Sequence, residues 1–305
     1  MQIMKTTIQF ITTVFCSISI ISCKSQTVGL VADGAELNQL SNEYSFTEGP
    51  AADINGNIFF TDQPNDKIIK WNEADNTLSV FKEPAGRANG LYFDHEGNLL
   101  AAADNKNELW RINSNGLVDT LITNFEGKKL NGPNDIWVDA KGGIYFTDPY
   151  YQRPYWERTE PEITENRVYY LSPDMKNITI AVNDFIRPNG IIGTPDSKTL
   201  YIADIGDGKT YSYSINEDGS LKNKTLFTEM GSDGMTIDNK GNVYLTGEGV
   251  TIFNLKGEKI HHIPVNEEWT ANVTFGGKNQ NILFITAKGS IYTLKMNVHG
   301  VRYHD

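Results

Sequence analysis

The chain has 305 residues, 39% hydrophobic and 11% aromatic, enough to bury a large core within one domain. Its formal net charge of −11 argues against a nucleic-acid partner, whose phosphates would be repelled. The two cysteines, Cys16 and Cys23, leave everything after residue 23 without a disulfide, a thiolate zinc site or a cysteine nucleophile.

Residues 1–5 form a short, weakly positive start, and residues 8–21 an apolar, hydroxyl-rich stretch too short to span a bilayer. The stretch ends Ile20-Ile21-Ser22-Cys23, which resembles a bacterial lipoprotein signal over residues 1–22. That resemblance implies export to the periplasm or cell envelope, with Cys23 as the lipidated first residue and the only membrane attachment. An ordinary cleaved signal is the alternative, and it too means export. Residues 23–43 are small and polar and read as a tether, so the folded body is expected over 44–305.

From residue 44 a unit recurs. The first copy has Gly49-Pro-Ala-Ala-Asp53, the turn Asn55-Gly56-Asn57, then Ile58-Phe-Phe-Thr-Asp62 and Lys67-Ile-Ile-Lys-Trp71. The second has Gly90-Leu-Tyr-Phe-Asp94, Glu96-Gly97-Asn98, Leu99-Leu-Ala-Ala-Ala-Asp104 and Glu108-Leu-Trp-Arg-Ile112. Later copies are marked by Ile144-Tyr-Phe-Thr-Asp148, Thr199-Leu-Tyr-Ile-Ala-Asp204, Val243-Tyr-Leu-Thr246 and Ile282-Leu-Phe-Ile-Thr286. Such runs favour strands, and the Gly- and Asn-bearing turns between them favour tight hairpins. The residues opening the units, Glu48, Asn89, Asn134, Asn189, Asp233 and Asn272, lie 41, 45, 55, 44 and 39 residues apart. This is a propeller period, one four-stranded blade per repeat. The predicted fold is all-β, a six-bladed β-propeller with a central metal site, expected to be a monomer.

One segment breaks the pattern. Residues 149–166 are long, proline-bearing and aromatic. They read as a lid at the channel mouth, with Tyr150, Tyr151, Tyr155 and Trp156 as walls.

If the register holds, the six opening residues point at the common axis, and all bear oxygen. Each stands five residues before the following turn position, as Glu48 does before Asp53 and Asp233 before Asp238. Repetition alone accounts for the asparagines but not for the carboxylates, which repel on an axis unless a cation compensates. Two carboxylates with amides favour calcium over zinc, which prefers nitrogen and sulfur. The five histidines show no ligand spacing; His261-His262 reads as an edge-strand pair. No nucleophile elbow, Walker loop or dinucleotide fingerprint occurs.

Phe46-Thr-Glu48-Gly-Pro50, Asn131-Gly-Pro-Asn134-Asp135, Arg187-Pro-Asn189-Gly190, Tyr201-Ile-Ala-Asp204 and Ser232-Asp233-Gly-Met235 resemble, in order, motifs of the gluconolactonase/regucalcin (senescence marker protein) family, in its bacterial form. The resemblance spans residues 44–296. It implies a divalent ion in the central tunnel held by Glu48, Asn134, Asn189 and Asp233, with Asp233 closest to the chemistry. Calcium is the expected ion, with magnesium, manganese or zinc as substitutes. Asn89, Asn131, Asn272, Tyr150 and Trp156 become candidate substrate contacts. Animal members carry an arginine that helps hold substrate where this chain has Gly132, so sugar preference does not transfer. The implied reaction is hydrolysis of a sugar lactone, with the ion polarising the carbonyl and Asp233 as general base or, alternatively, nucleophile. Two readings stay open beside it: hydrolysis of organophosphates or other esters on the same scaffold, and a non-catalytic exported binding propeller.

Overall fold

The computed structural model describes residues 29–301. The signal over 1–22, the proposed anchor at Cys23 and His304 lie outside the described residues.

Six four-stranded antiparallel sheets are arranged as blades, and consecutive blades pack through their inner strands. The inner strands are β2 (Thr47–Ala52), β6 (Ala88–Phe93), β10 (Ile136–Val138), β14 (Pro188–Gly193), β18 (Met235–Ile237) and β22 (Thr270–Gly276). Each pairs with the next strand in sequence, for example β2 with β3 (Ile58–Asp62) in register Ala51 opposite Phe59. The interior lies between blades: Trp137, Tyr201 and Leu245, from three successive blades, share one apolar cluster. A single 3-10 turn, Gln63–Asn65, is the only helical element among the described residues.

The boundary at residue 44 needs correcting. Strand β1 (Asn38–Ser41) pairs with β24 (Ser290–Lys295) and supplies the fourth strand of the last blade. Val31 bridges Met296, and Leu30, Ala35 and Leu37 pack on the apolar cluster of that blade. Part of the expected tether therefore closes the ring. Closure removes the edge that the first and last blades would otherwise expose.

Two repeated devices set the register. The hairpin between first and second strands is closed by an aspartate: Asp53, Asp94, Asp139 and Asp238 each accept two backbone N–H bonds from the turn, at 2.8–3.0 Å. At the other end of the blade, the aspartate closing the second strand ties down the loop that leads to the axis. Asp148 accepts from the Asn131 and Gly132 amides at 2.9 and 2.7 Å, and Asp204 from Ile186 and Arg187 at 2.8 Å each.

Glycine follows the axial residue in four blades because the inner strands crowd there. A Cβ on Gly49 would lie 2.2 Å from the Asn89 carbonyl oxygen, and one on Gly234 1.9 Å from the Asn272 side chain. Gly49 also holds a φ of +48°, open to glycine at little cost. A Gly49→Ala protein is expected to lose about 2–4 kcal/mol of unfolding free energy in denaturant titration. A loss below about 1 kcal/mol would mean that adjacent inner strands yield more than close packing allows.

Candidate functional site

The six axial residues meet at one end of the channel. Glu48, Asn89, Asn134, Asn189 and Asn272 are buried, and Asp233 is half-buried. Asn189 Nδ2 donates to Asp233 Oδ1 at 2.7 Å, and the Trp269 indole donates to Asp233 Oδ2 at 2.6 Å. Across the axis, Asn272 Nδ2 donates to Glu48 Oε2 at 3.0 Å, and the Gly49 amide donates to the same oxygen. Both carboxylates are thus oriented by neutral donors, with no cationic side chain bonded to either.

A third carboxylate lies with them. Asp135 is buried beside Asn134, with Oδ1 accepting from the Ile136 amide at 3.1 Å. Burial, then the charges of Asp233 and Asp135, hold the Glu48 carboxyl well above the usual range. Burial pushes Asp135 up to about 7 against the pull of backbone hydrogen bonds. Burial raises Asp233 to about 6, while Trp269 and Asn189 restrain the rise. Two axial carboxylates were expected and three share the site, which sharpens the need for a compensating cation.

Two buried amide oxygens, Asn89 Oδ1 and Asn189 Oδ1, have no hydrogen-bond partner. Orphaned acceptors beside carboxylates are a donor set suited to a hard cation. Among the described residues no three His, Cys, Asp or Glu side chains converge as ligands, so a cation here needs the amide oxygens. Glu48, Asp233, Asn189 and Asn89 fit that demand. Asn272 is occupied in orienting Glu48 and the Val273 amide. His261-His262 lies on the outermost strand of its blade, β21 (Lys259–Ile263), remote from the axis.

The insertion packs over this end as a lid, built on Asp104. Arg153 Nε, the Tyr155 hydroxyl and the Trp156 indole donate to Asp104 oxygens at 2.9, 2.5 and 2.8 Å. Asp104 closes the second strand of its blade, as Asp148 and Asp204 do, but binds the lid instead of its own axial loop. The axial loop of that blade is tied by Asp66, which accepts from the Ala85 and Arg87 amides. A Cβ on Gly132 would lie 2.9 Å from Asp104 and 3.2 Å from the Trp156 ring, so the lid fills the space where a side chain at 132 would go. Tyr151 reaches the axis, its hydroxyl 3.3 Å from Asn189 Nδ2. Three candidate substrate contacts serve the lid frame. Trp156 seats on Asp104; Tyr150 packs on Trp156; Asn131 Nδ2 donates to the Glu165 carbonyl at 3.0 Å.

Sequence reasoning overlooked Asp135, Trp269 and the lid arginines. Asp135 had a signal, since it stands where four other blades place glycine. Trp269, three residues before Asn272, had none beyond being an aromatic in a polar loop.

At the opposite end of the channel a cavity of about 710 Å³ is lined by Phe59, Tyr92, Trp137, Met235 and Phe275, with Asp135 and Asn272 on its wall. It lacks the lid and the oriented Asp233, so the chemistry is assigned to the lidded end.

Comparison with known proteins agrees with this geometry. The family model described as SMP-30/Gluconolactonase/LRE-like region matches residues 46–289. A gluconolactonase of Zymomonas mobilis subsp. mobilis is 27% identical over 292 residues, covering 86% of this chain and 81% of the relative. The lactonase Drp35 of Staphylococcus saprophyticus is 32% identical over 140 residues, 43% of this chain and 41% of the relative. Among solved structures, a gluconolactonase of Xanthomonas campestris matches with a TM-score of 0.82 at 28% identity, covering 88% of this chain and 91% of that one. A calcium-binding protein, regucalcin, of Agrobacterium tumefaciens matches with a TM-score of 0.74 at 19% identity, covering 88% and 96%, a likeness of fold.

Proposed function

Because the chain belongs to the SMP-30/gluconolactonase/LRE-like family, we propose that it is a cation-dependent hydrolase of sugar lactones with Asp233 as general base. Relatives named gluconolactonase and lactonase support lactone hydrolysis. The observation that carries the assignment of roles is the half-buried Asp233, oriented through both oxygens beside two orphaned amide oxygens.

Glu48, Asn134, Asn189 and Asp233, with Asn89, would hold the ion, and calcium is the ion their oxygens suit best. When bound, the ion supplies positive charge that offsets the carboxylates and polarises a carbonyl. Asp233 takes a proton from water as the water oxygen attacks the lactone carbonyl carbon. The ring C–O bond then breaks, and the departing ring oxygen takes that proton back. The product is the open-chain sugar acid, which releases its own proton at neutral pH. Trp269 and Asn189 keep Asp233 aimed and partly ionised near neutrality, as a base needs. Tyr151 and the lid exclude bulk water from this end.

A panel of glucono-, galactono-, xylono- and arabinonolactones, assayed after chelation and with calcium, magnesium, manganese or zinc restored, tests the reading. Expected is turnover above spontaneous ring opening that chelation abolishes and a divalent cation restores. Lack of turnover of any lactone with every cation, or turnover indifferent to chelation, would overturn it.

A further inference from the structure

The chain holds seven arginines, and four of them, Arg87, Arg153, Arg158 and Arg187, gather on the lid and its rim. This is an unusual concentration in a protein of net charge −11. Two of the four stand directly at the site. The guanidiniums of Arg153 and Arg187 lie 5.5 and 5.0 Å from the Tyr151 ring centroid, and the hydroxyl of that ring touches Asn189. Arg187 is two residues from Asn189 in the chain, and its backbone amide is pinned by Asp204 at 2.8 Å.

The two differ in what they are free to do. Arg153 spends its Nε on Asp104, which fixes the direction of the guanidinium. Arg187 is exposed and forms no ion pair among the described residues; its recorded contact is with the Tyr151 face. A guanidinium stacked on an aromatic ring keeps its planar edge for an incoming anion. The neighbouring carboxylate Asp207 is taken by Lys209 at 3.0 Å. The field of Arg153 also reaches Asp233, whose carboxyl it helps keep ionised.

A neutral lactone gives such a pair nothing to bind. We propose that Arg187 and Arg153 form an anion clamp that selects lactones carrying a second, negatively charged group, a carboxylate or a phosphate, remote from the ring carbonyl. This rests on the lactonase reading and narrows its substrate class. The ring carbonyl lies by Asp233 while the remote anion lies under the lid, so hydrolysis yields a dianionic or more highly charged sugar acid. Arginine in place of lysine fits this role, since the fork recognises either oxyanion in a bidentate manner.

The test compares kcat/KM for D-glucono-δ-lactone with that for D-glucaro-1,4-lactone and for 6-phosphoglucono-δ-lactone, in the wild type and in Arg187→Ala. The clamp predicts that one anionic lactone exceeds the neutral one by about 10- to 100-fold, through KM, and that the ratio collapses toward one in the variant. Which anionic lactone shows the preference decides between carboxylate and phosphate. A wild-type ratio near one for both anionic lactones, or a ratio that survives in Arg187→Ala, overturns the clamp and leaves lactone hydrolysis standing. If none of the three is hydrolysed, lactone hydrolysis fails instead. The clamp is then decided by calorimetric binding of open-chain galactarate and 6-phosphogluconate. Weaker binding of either in Arg187→Ala supports it; equal binding, or none to the wild type, overturns it.

Discussion

Replacing Asp233 by asparagine is expected to lower kcat by about 10²- to 10⁴-fold, with circular dichroism and the thermal midpoint close to those of the wild type. The change keeps shape and removes one charge and one acceptor. In the native protein both carboxylate oxygens accept, from Asn189 at 2.7 Å and Trp269 at 2.6 Å. An amide offers one oxygen, so one of those donors faces an NH2 group, a cost of about 1–3 kcal/mol. Against that cost stands the relief of repulsion among Glu48, Asp135 and Asp233. Stability therefore moves little while the proton acceptor is lost. The wild-type profile should show an acid limb near the value of about 6 to which burial raises Asp233, and the variant should lack it. Activity within about tenfold of the wild type would take Asp233 out of the base role, since general-base catalysis is worth at least 10²-fold as a rule.

Much of this site could be read before the fold was seen, for a definite physical reason. The inner and second strands are buried on both faces, so their residues are tightly constrained; Ile58, Phe60, Leu100, Tyr145 and Phe146 have no exposure. Their runs and turns announce the repeat. The fourth strand of each blade faces solvent, and its pattern dissolves. Strand β9 (Val118–Ile122) and strand β17 (Leu221–Thr228) are mostly exposed and left no periodic trace. Strand β1 was hidden differently. Asn38-Gln-Leu-Ser41 is polar because its role is to add backbone hydrogen bonds to β24, with Gln39 reaching Ser290 and Tyr292. Axial positions were legible because the blade period fixes them. Trp269 and Arg187 were not, since their roles depend on how loops of different blades meet.

The second large effect concerns stability without a cation. Glu48, Asp135 and Asp233 all have carboxyls raised by burial first and by mutual repulsion second. Such groups bind more protons folded than unfolded between the unfolded value, near 4, and the raised one. In chelator, unfolding free energy should therefore fall as pH rises through that window, and level off above about 7, where Asp135 has ionised. Each unit of upward shift is worth about 1.4 kcal/mol, so Asp233 alone, moved from 3.8 to about 6, costs about 3 kcal/mol by pH 8. A divalent cation binds the ionised oxygens and not the protonated ones, so it acts in the opposite sense. The rise in thermal midpoint on adding calcium should be small at pH 5 and grow steadily to pH 8. Glu48→Gln should flatten both trends, because it removes one of the repelling charges and one of the ligands together. Midpoint curves with and without calcium that run parallel across this range would show that the axial carboxylates are not where the cation binds. The same charges that make the empty axis unstable at neutral pH are what would make it bind a divalent ion there. A channel that loses stability on ionising and regains it with calcium is a metal site by thermodynamic definition, whatever lactone it proves to open.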